Sequence, residues 1–236
     1  MVNVFSFCLY NPPNPLYYTG LFENVAMIQK YFPTFLVYIY IGNDVPTQTC
    51  DALRAYPNVR LHFTGQTGAV NMVHRFFAID EPEVDVMLVR DADSRVHWKD
   101  RWAIAQFLAD PVAKVHTIRD APVHTTAIMG GLWGMKKMDG FSMRAVHTQF
   151  SEVVPPEDRW GADQYFLKLA VYPLIKHTLL IHSSNGWKYE PSETLASFPF
   201  LYSKDVFCGK DERGSYAESV PRAKVPSILT MIHSPR

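Results

Sequence analysis

Short apolar runs alternate with amphipathic stretches along most of this chain. Val2 to Leu9, Phe35 to Ile41 and Val59 to Phe63 are continuous runs with the length of buried strands. Between the first two, Leu21, Val25, Ile28 and Phe32 recur at helical spacing and are closed by Pro33. Pro46 to Tyr56 reads as a helix with Asp51 and Arg54 toward solvent, and Val70 to Ile79 as another, leading through Pro82 to a strand that ends near Arg90. This β-α-β-α-β-α-β alternation predicts an α/β fold, a mostly parallel central sheet with helices on both faces. Further on, Trp98 to Leu108 is an amphipathic helix stopped by Asp110-Pro111. Strands are predicted at Val112 to Ile118, Ala127 to Met135 and Leu174 to Ile181, and helices at Ser142 to Ser151 and Ala162 to Leu169. Beyond residue 190 the periodicity is lost and prolines and glycines recur, so residues 191–236 are expected to wrap the surface irregularly. With neither repeats nor a linker, 1–236 is expected to be a single domain built of two halves, 1–95 and 96–190.

The fourth strand ends abruptly in Arg90-Asp91-Ala92-Asp93-Ser94-Arg95. Side chains two apart on a strand point the same way, so Asp91 and Asp93 converge if extended geometry persists to the tip. Two hard oxygen ligands suit Mg²⁺ or Mn²⁺, which keeps waters and takes further ligands from a diphosphate. Arginines beside them suit phosphate oxygens. The place also fits, because open α/β sheets bind ligands beyond the carboxyl ends of their strands. A plainer reading is that Asp93 or Ser94 starts the following helix. Arg90, one residue out of phase with Asp91, points to the opposite face, where a salt bridge within the sheet layer is expected.

Composition narrows the classes. Lys+Arg 23 against Asp+Glu 23 leaves no net charge, which argues against a generic nucleic-acid or anionic-membrane binder. Cys8, Cys50 and Cys208 show no metal-ligand spacing, and their odd count favours a reducing compartment over a disulfide framework. No apolar segment approaches the roughly 20 residues of a membrane span, and Met1 to Phe5 lacks a basic leader, so a soluble cytoplasmic protein is expected. A Gly-x-Gly-x-x-Gly turn after the first strand is lacking, as is a phosphate loop of the Gly-x-x-x-x-Gly-Lys type, which weakens dinucleotide-binding and P-loop readings.

Four segments in order, His74-Arg75-Phe76, Arg90 to Arg95, Met129-Gly130-Gly131-Leu132-Trp133-Gly134 and Gly161-Ala162-Asp163-Gln164, give the chain its resemblance to a family. From about Phe5 to about Gly209 it resembles the GT-A fold glycosyltransferases that use nucleotide-diphosphate sugars. Among them it looks most like the small transferases of large algal (chlorella) DNA viruses and bacterial polysaccharide loci, which for a viral chain would mean the host cytoplasm. The resemblance implies a metal-dependent transfer of a hexosyl or deoxyhexosyl group from a UDP-sugar to an oligosaccharide or glycoprotein glycan, with Mn²⁺ or Mg²⁺ as cofactor. Residues 1–95 would then be the nucleotide-sugar half and 96–190 the acceptor half. Asp91 and Asp93 would hold the metal, with His182 as third ligand and His233 as its rival. Tyr10, Arg75, Asp91, Ala92, Arg95 and Lys188 would bind the donor; Tyr10 or Tyr17 could stack on the base. In the family's comparable stretch the glycine falls one residue earlier than Gly186, which bears on both His182 and Lys188. Asp163, at a predicted helix start where a negative charge is favoured in any case, would act as the base or contact a sugar. His124, Gly130, Gly131 and Asp163 would line the acceptor pocket. Inverting and retaining enzymes share the fold, so stereochemistry stays open.

Two other functions compete. A sugar-1-phosphate nucleotidyltransferase shares fold and metal but carries a Gly-rich basic loop after its first strand, where this chain has Asn11-Pro12-Pro13-Asn14-Pro15. A non-catalytic sugar- or metal-binding module, or degenerate transferase, is disfavoured by the intact Asp pair.

Overall fold

The computed structural model describes residues 1–11, 13–155, 161–196 and 198–210. Its first half follows the alternation of the sequence: β1 (Val2–Leu9), α1 (Pro15–Tyr31), β2 (Leu36–Ile41), α2 (Thr47–Arg54), β3 (Val59–Phe63), a 3-10 helix (Ala69–Asp80) and β4 (Val84–Arg90). α1 starts where Asn14 accepts a hydrogen bond from the Leu16 amide at 3.0 Å and Pro15 pre-sets the first turn. The second half adds α3 (Trp98–Ala109), β5 (Val115–Arg119), β6 (Leu132–Lys136), α4 (Met143–Val153), α5 (Ala162–Phe166), α6 (Tyr172–Ile175), β7 (Leu179–Ser183) and the two-residue β8 (Leu195–Ala196).

The strands form one sheet in the order β3-β2-β1-β4-β6-β5-β7-β8, all parallel except β6. Both faces are covered, as the near-continuous apolar strands require. On one face Phe5, Phe7, Val37, Ile39, Val86 and Leu88 pack against Leu21, Val25 and Ile28 of α1 and Ile104 and Phe107 of α3. On the other, Val4, Cys8, Met87 and Val89 meet Phe76 and Phe77 of the 3-10 helix, Trp133, and Phe166 and Leu167 after α4. Each such side chain contributes about 1.5–3 kcal/mol by leaving water.

Two expectations change. The run Leu174 to Ile181 becomes a strand only from Leu179. Before it, Phe166, Leu167, Val171, Tyr172 and Ile175 are buried at helical spacing while Leu174 is 61% exposed, so the helical period wins, with Pro173 tolerated in a first turn. Of Ala127 to Met135, only the part from Leu132 is strand, because Ala127 and Ile128 pack into the core from a loop. The segment 198–210 is irregular as expected and lies on α3, where Phe198 packs tilted and Phe200 edge-on against Trp102, ring centroids 5.7 and 5.3 Å apart. Residues 211–236 lie outside the described residues.

Candidate functional site

At the carboxyl ends of β1 and β4 lies a cleft of about 590 Å³. Its walls include Tyr10, Tyr17, Arg75, Asp91, Ala92, Asp93, Gly130, Gly131, Asp163 and Gln164. Strand parity explains the arrangement around Asp91. Val86, Leu88 and Arg90 face α1 and α3, and there Arg90 Nε donates to Asp100 of α3 at 2.9 Å. Met87, Val89 and then Asp91 face the 3-10 helix, from which Arg75 reaches Asp91.

Extended geometry does not persist to the tip, as the convergence of Asp91 and Asp93 required. The strand ends at Arg90, Ala92 and Asp93 form a turn, and Ser94 Oγ closes it by donating to the Asp91 carbonyl at 3.3 Å. The two carboxylates still line one cleft, because the turn wraps around its floor.

Arg75 is the centre of the floor. It is 5% exposed and donates through Nη1 to Asp91 and through Nη2 to Asp163 Oδ2 at 2.8 Å. Its own carbonyl accepts from Ser6 Oγ at 2.6 Å, which ties the 3-10 helix to β1. Burial alone would lower its pKa, but Asp91, Cys8 and Asp163 hold it well above the ordinary arginine value. The carboxylates nearest Arg75 in sequence, Asp80 and Glu81, are engaged elsewhere: Asp80 caps α4 and Glu81 pairs with Arg144.

The antiparallel β6 supplies the opposite wall. Arg90 pairs with Leu132 in the register of β4 and β6, so the residues just before β6 abut the end of β4. A Cβ on Gly131 would collide with the Asp91 carboxylate, so any side chain here must displace that group. The Gly130 amide donates to Gln164 Oε1 at 2.8 Å, while Gln164 Nε2 donates to the Ile128 carbonyl. Gly161, at φ 87°, takes the left-handed turn that starts α5 and points Asp163 inward. Gln164 was visible in the sequence only as part of a motif; its clasp on the loop before β6 is a tertiary contact. Cys8, also in the wall, went unassigned. Burial pushes its thiol up to about 12, with Asp163, Asp91 and Asp93 adding to the shift against Arg75. Burial also raises the pKa of Tyr10, so its hydroxyl is neutral.

Among the described lining residues, three carboxylates face one guanidinium. Such a floor repels a diphosphate unless a divalent cation stands between, and Asp91, 43% exposed beside Asp93, offers oxygen atoms for one. No third protein ligand joins this pair in a cluster among the described residues. The one triplet of His, Cys, Asp or Glu ligand atoms there is His97, Asp100 and Cys208, where Asp100 is taken by Arg90 and burial pushes the thiol well up.

Several expected site residues stand elsewhere. His182 faces α3, with Nε2 donating to Gln106 Oε1 at 2.9 Å and Nδ1 accepting from His116 Nε2 at 2.8 Å. Both ring nitrogens are occupied, so the structure does not support it as the third ligand. Arg95 turns away from the cleft onto Glu23 at 2.5 Å and the carbonyls of Ala92 and Ser94, where it fixes the turn rather than a donor. Lys188 is exposed on the loop after β7 and does not line the cleft. His124 is buried near the site without lining it; its Nδ1 accepts from the Asp120 amide at 3.1 Å, and burial lowers it to about 4 against the pull of Asp91. His233 lies outside the described residues.

No protein-family model matches the chain, and no curated protein matches it in sequence. Solved structures do. Staphylococcus aureus TarS 1–349 in complex with UDP-GlcNAc is 14% identical with a TM-score of 0.51, over 82% of this chain and 62% of that one. A glycosyltransferase involved in glycosylation of the major capsid of PBCV-1 is 18% identical with a TM-score of 0.49, over 77% of this chain and 82% of that one. A mannosyltransferase from Pyrobaculum calidifontis in complex with GDP-Man and Mn²⁺ is 16% identical with a TM-score of 0.48, over 80% and 58%. The chain thus spans less than two thirds of TarS 1–349 and of the mannosyltransferase. At these identities the likeness to TarS shows a common fold.

Proposed function

We propose that this protein, whose fold is that of the GT-A glycosyltransferases, moves a hexosyl or deoxyhexosyl unit from a nucleotide-diphosphate sugar to a sugar hydroxyl. The observation that carries the reading is the floor of the cleft, where Arg75 joins Asp91 and Asp163 beside Asp93 at the carboxyl edge of the sheet. The binding of UDP-GlcNAc by TarS supports UDP as the nucleotide.

Asp91 and Asp93 would hold Mn²⁺ or Mg²⁺, which supplies Lewis-acid stabilisation of the departing diphosphate. Tyr10 and Tyr17, at the exit of β1 and on α1, offer rings to the base. Arg75 holds the Asp91 and Asp163 carboxylates in place, and Gln164 fixes the loop of Gly130 and Gly131 at the far wall. In an inverting transfer Asp163 would accept the proton of the attacking hydroxyl as its oxygen bonds to the anomeric carbon and the glycosyl–phosphate bond breaks, that electron pair leaving with the diphosphate; in a retaining one it would contact a sugar. A glycan is the acceptor this reading requires.

Calorimetric titration of a nucleotide-sugar panel tests the proposal, with Mn²⁺ and with chelator, on the wild type and on Asp93→Ala. One donor should bind only with the metal, and the variant should lose that binding. Silence across the panel from folded protein would overturn the proposal.

A further inference from the structure

Beside the cleft, on the far side of Asp163, lies a second cavity of about 260 Å³ between the 3-10 helix, α4 and α5. Asp163 lines both cavities, so the two adjoin at this residue. The second is chemically unlike the first. It is walled by Val73, His74, His147, Phe150 and Tyr165, and among the described residues Asp163 is its one formal charge. The rings are grouped rather than scattered: Phe150 lies 6.4 Å from Tyr165, and Tyr165 is 44% exposed although it is large and apolar. Burial lowers His74 to about 4, with Arg144 and His147 adding to the effect, and burial also lowers His147, so neither imidazole is a cation at neutral pH. Of the arginines around it among the described residues, Arg75 is held by Asp91 and Asp163 and Arg144 by Glu81 at 2.7 Å. Among the described lining residues an anionic guest would meet no lysine or arginine. An apolar ring face would meet aromatic and aliphatic walls, with hydroxyls at its edge left for Asp163. The volume, under half that of the cleft, suits a single ring.

We infer that this cavity is the acceptor subsite and that it selects a neutral one-ring sugar presenting an apolar face or apolar substituent, excluding acceptors that carry phosphate or carboxylate. The inference rests on the glycosyl-transfer reading of the adjoining cleft.

The test first establishes the donor by calorimetry. Donor-loaded protein is then examined by saturation-transfer NMR and by transfer assay with phenyl glycosides of neutral hexoses, glucuronic acid and glucose 6-phosphate. Ser151, on α4 in the cavity wall, is replaced in Ser151→Trp to fill the space, and Phe150→Ala removes one ring. The phenyl glycosides should saturate and accept sugar, and the acidic sugars should do neither. Both variants should raise the acceptor KM at least about tenfold with the donor Kd unchanged, the unchanged Kd also reporting an intact fold. If the donor binds but acidic sugars accept equally well, or neither variant moves the acceptor KM, the subsite assignment is wrong while the function stands. If no donor binds, the function falls and the subsite with it.

Discussion

Arg75 decides more than any other side chain in the cleft. It is enclosed, and its two carboxylate partners differ: Asp91 is open to solvent on one side, while Asp163 is only 6% exposed. Arg75→Met would leave Asp163 as a buried charge without its counter-ion, a loss of about 3–5 kcal/mol by the behaviour of broken buried pairs. Urea denaturation should show that loss, and the Asp163→Asn variant in the same background should recover part of it. Gly131 makes the complementary case. Gly131→Ala forces the Asp91 carboxylate out of place, so metal-dependent donor affinity is expected to fall about tenfold or more, or 1.4 kcal/mol, by calorimetry. Cys8 should be inert for a different reason: its thiol is buried and protonated, as are those of Cys50 and Cys208. A thiol reagent at pH 8 should label the native chain slowly and label all three cysteines in denaturant. Arg75 was legible as a donor contact only by resemblance, because nothing local tells a helix which carboxylates its arginine will meet.

Between elements, two buried polar contacts tie the second half together. β5 and β7 share a relay in which His116 donates to His182 and His182 to Gln106 of α3, while Phe107 stacks on His116 at 5.2 Å and Trp102 and Phe198 flank His182. Burial lowers His182 to about 4 and, with the charges of His182 and Arg90, puts His116 well below its usual value. The unfolded chain therefore takes up protons first as pH falls. Stability from this pair is full above the unfolded value of about 6.5 and declines on acidification, by up to about 1.4 kcal/mol per pH unit for each histidine. His116→Leu/His182→Leu should flatten the stability profile between about pH 6 and 4.5, as read by denaturation at a series of pH values. The other contact is Lys99 of α3, which bonds Asp120 at 3.1 Å and the carbonyls of Leu201 and Val206, pinning the segment 198–210. Lys99→Met strands Asp120, whose Oδ1 already lacks a partner, and is expected to cost about 3–5 kcal/mol. Limited proteolysis should then cut in that segment first. His182 explains why an element-scale reading of the sequence misleads: a histidine ending a strand at the sheet edge suits a ligand, but the strand's phase turns it toward α3.

On the scale of the whole molecule, the sheet decides where chemistry can occur. Its parallel strands bring the exits of β1 and β4 to one edge, and antiparallel β6, entering between β4 and β5, delivers Gly130 and Gly131 to the same edge. Chelation should abolish donor binding while leaving the thermal midpoint of the ligand-free protein unchanged, because the core on both faces is closed without the cleft. The alternation of apolar runs and amphipathic stretches was sufficient for the fold class, the first-half order and the strand exit bearing Asp91 and Asp93. Those features follow from local periodicity and from the need of a parallel sheet to be covered on both sides. It was sufficient, too, for the inward salt bridge of Arg90, since parity is a local property. Folding alone decided which distant groups meet: Arg75 with Asp163, His182 with His116, Arg95 with Glu23, and Asp163 with the walls of two cavities. Such pairings depend on the direction of each element across the sheet, and no spacing along the chain encodes that.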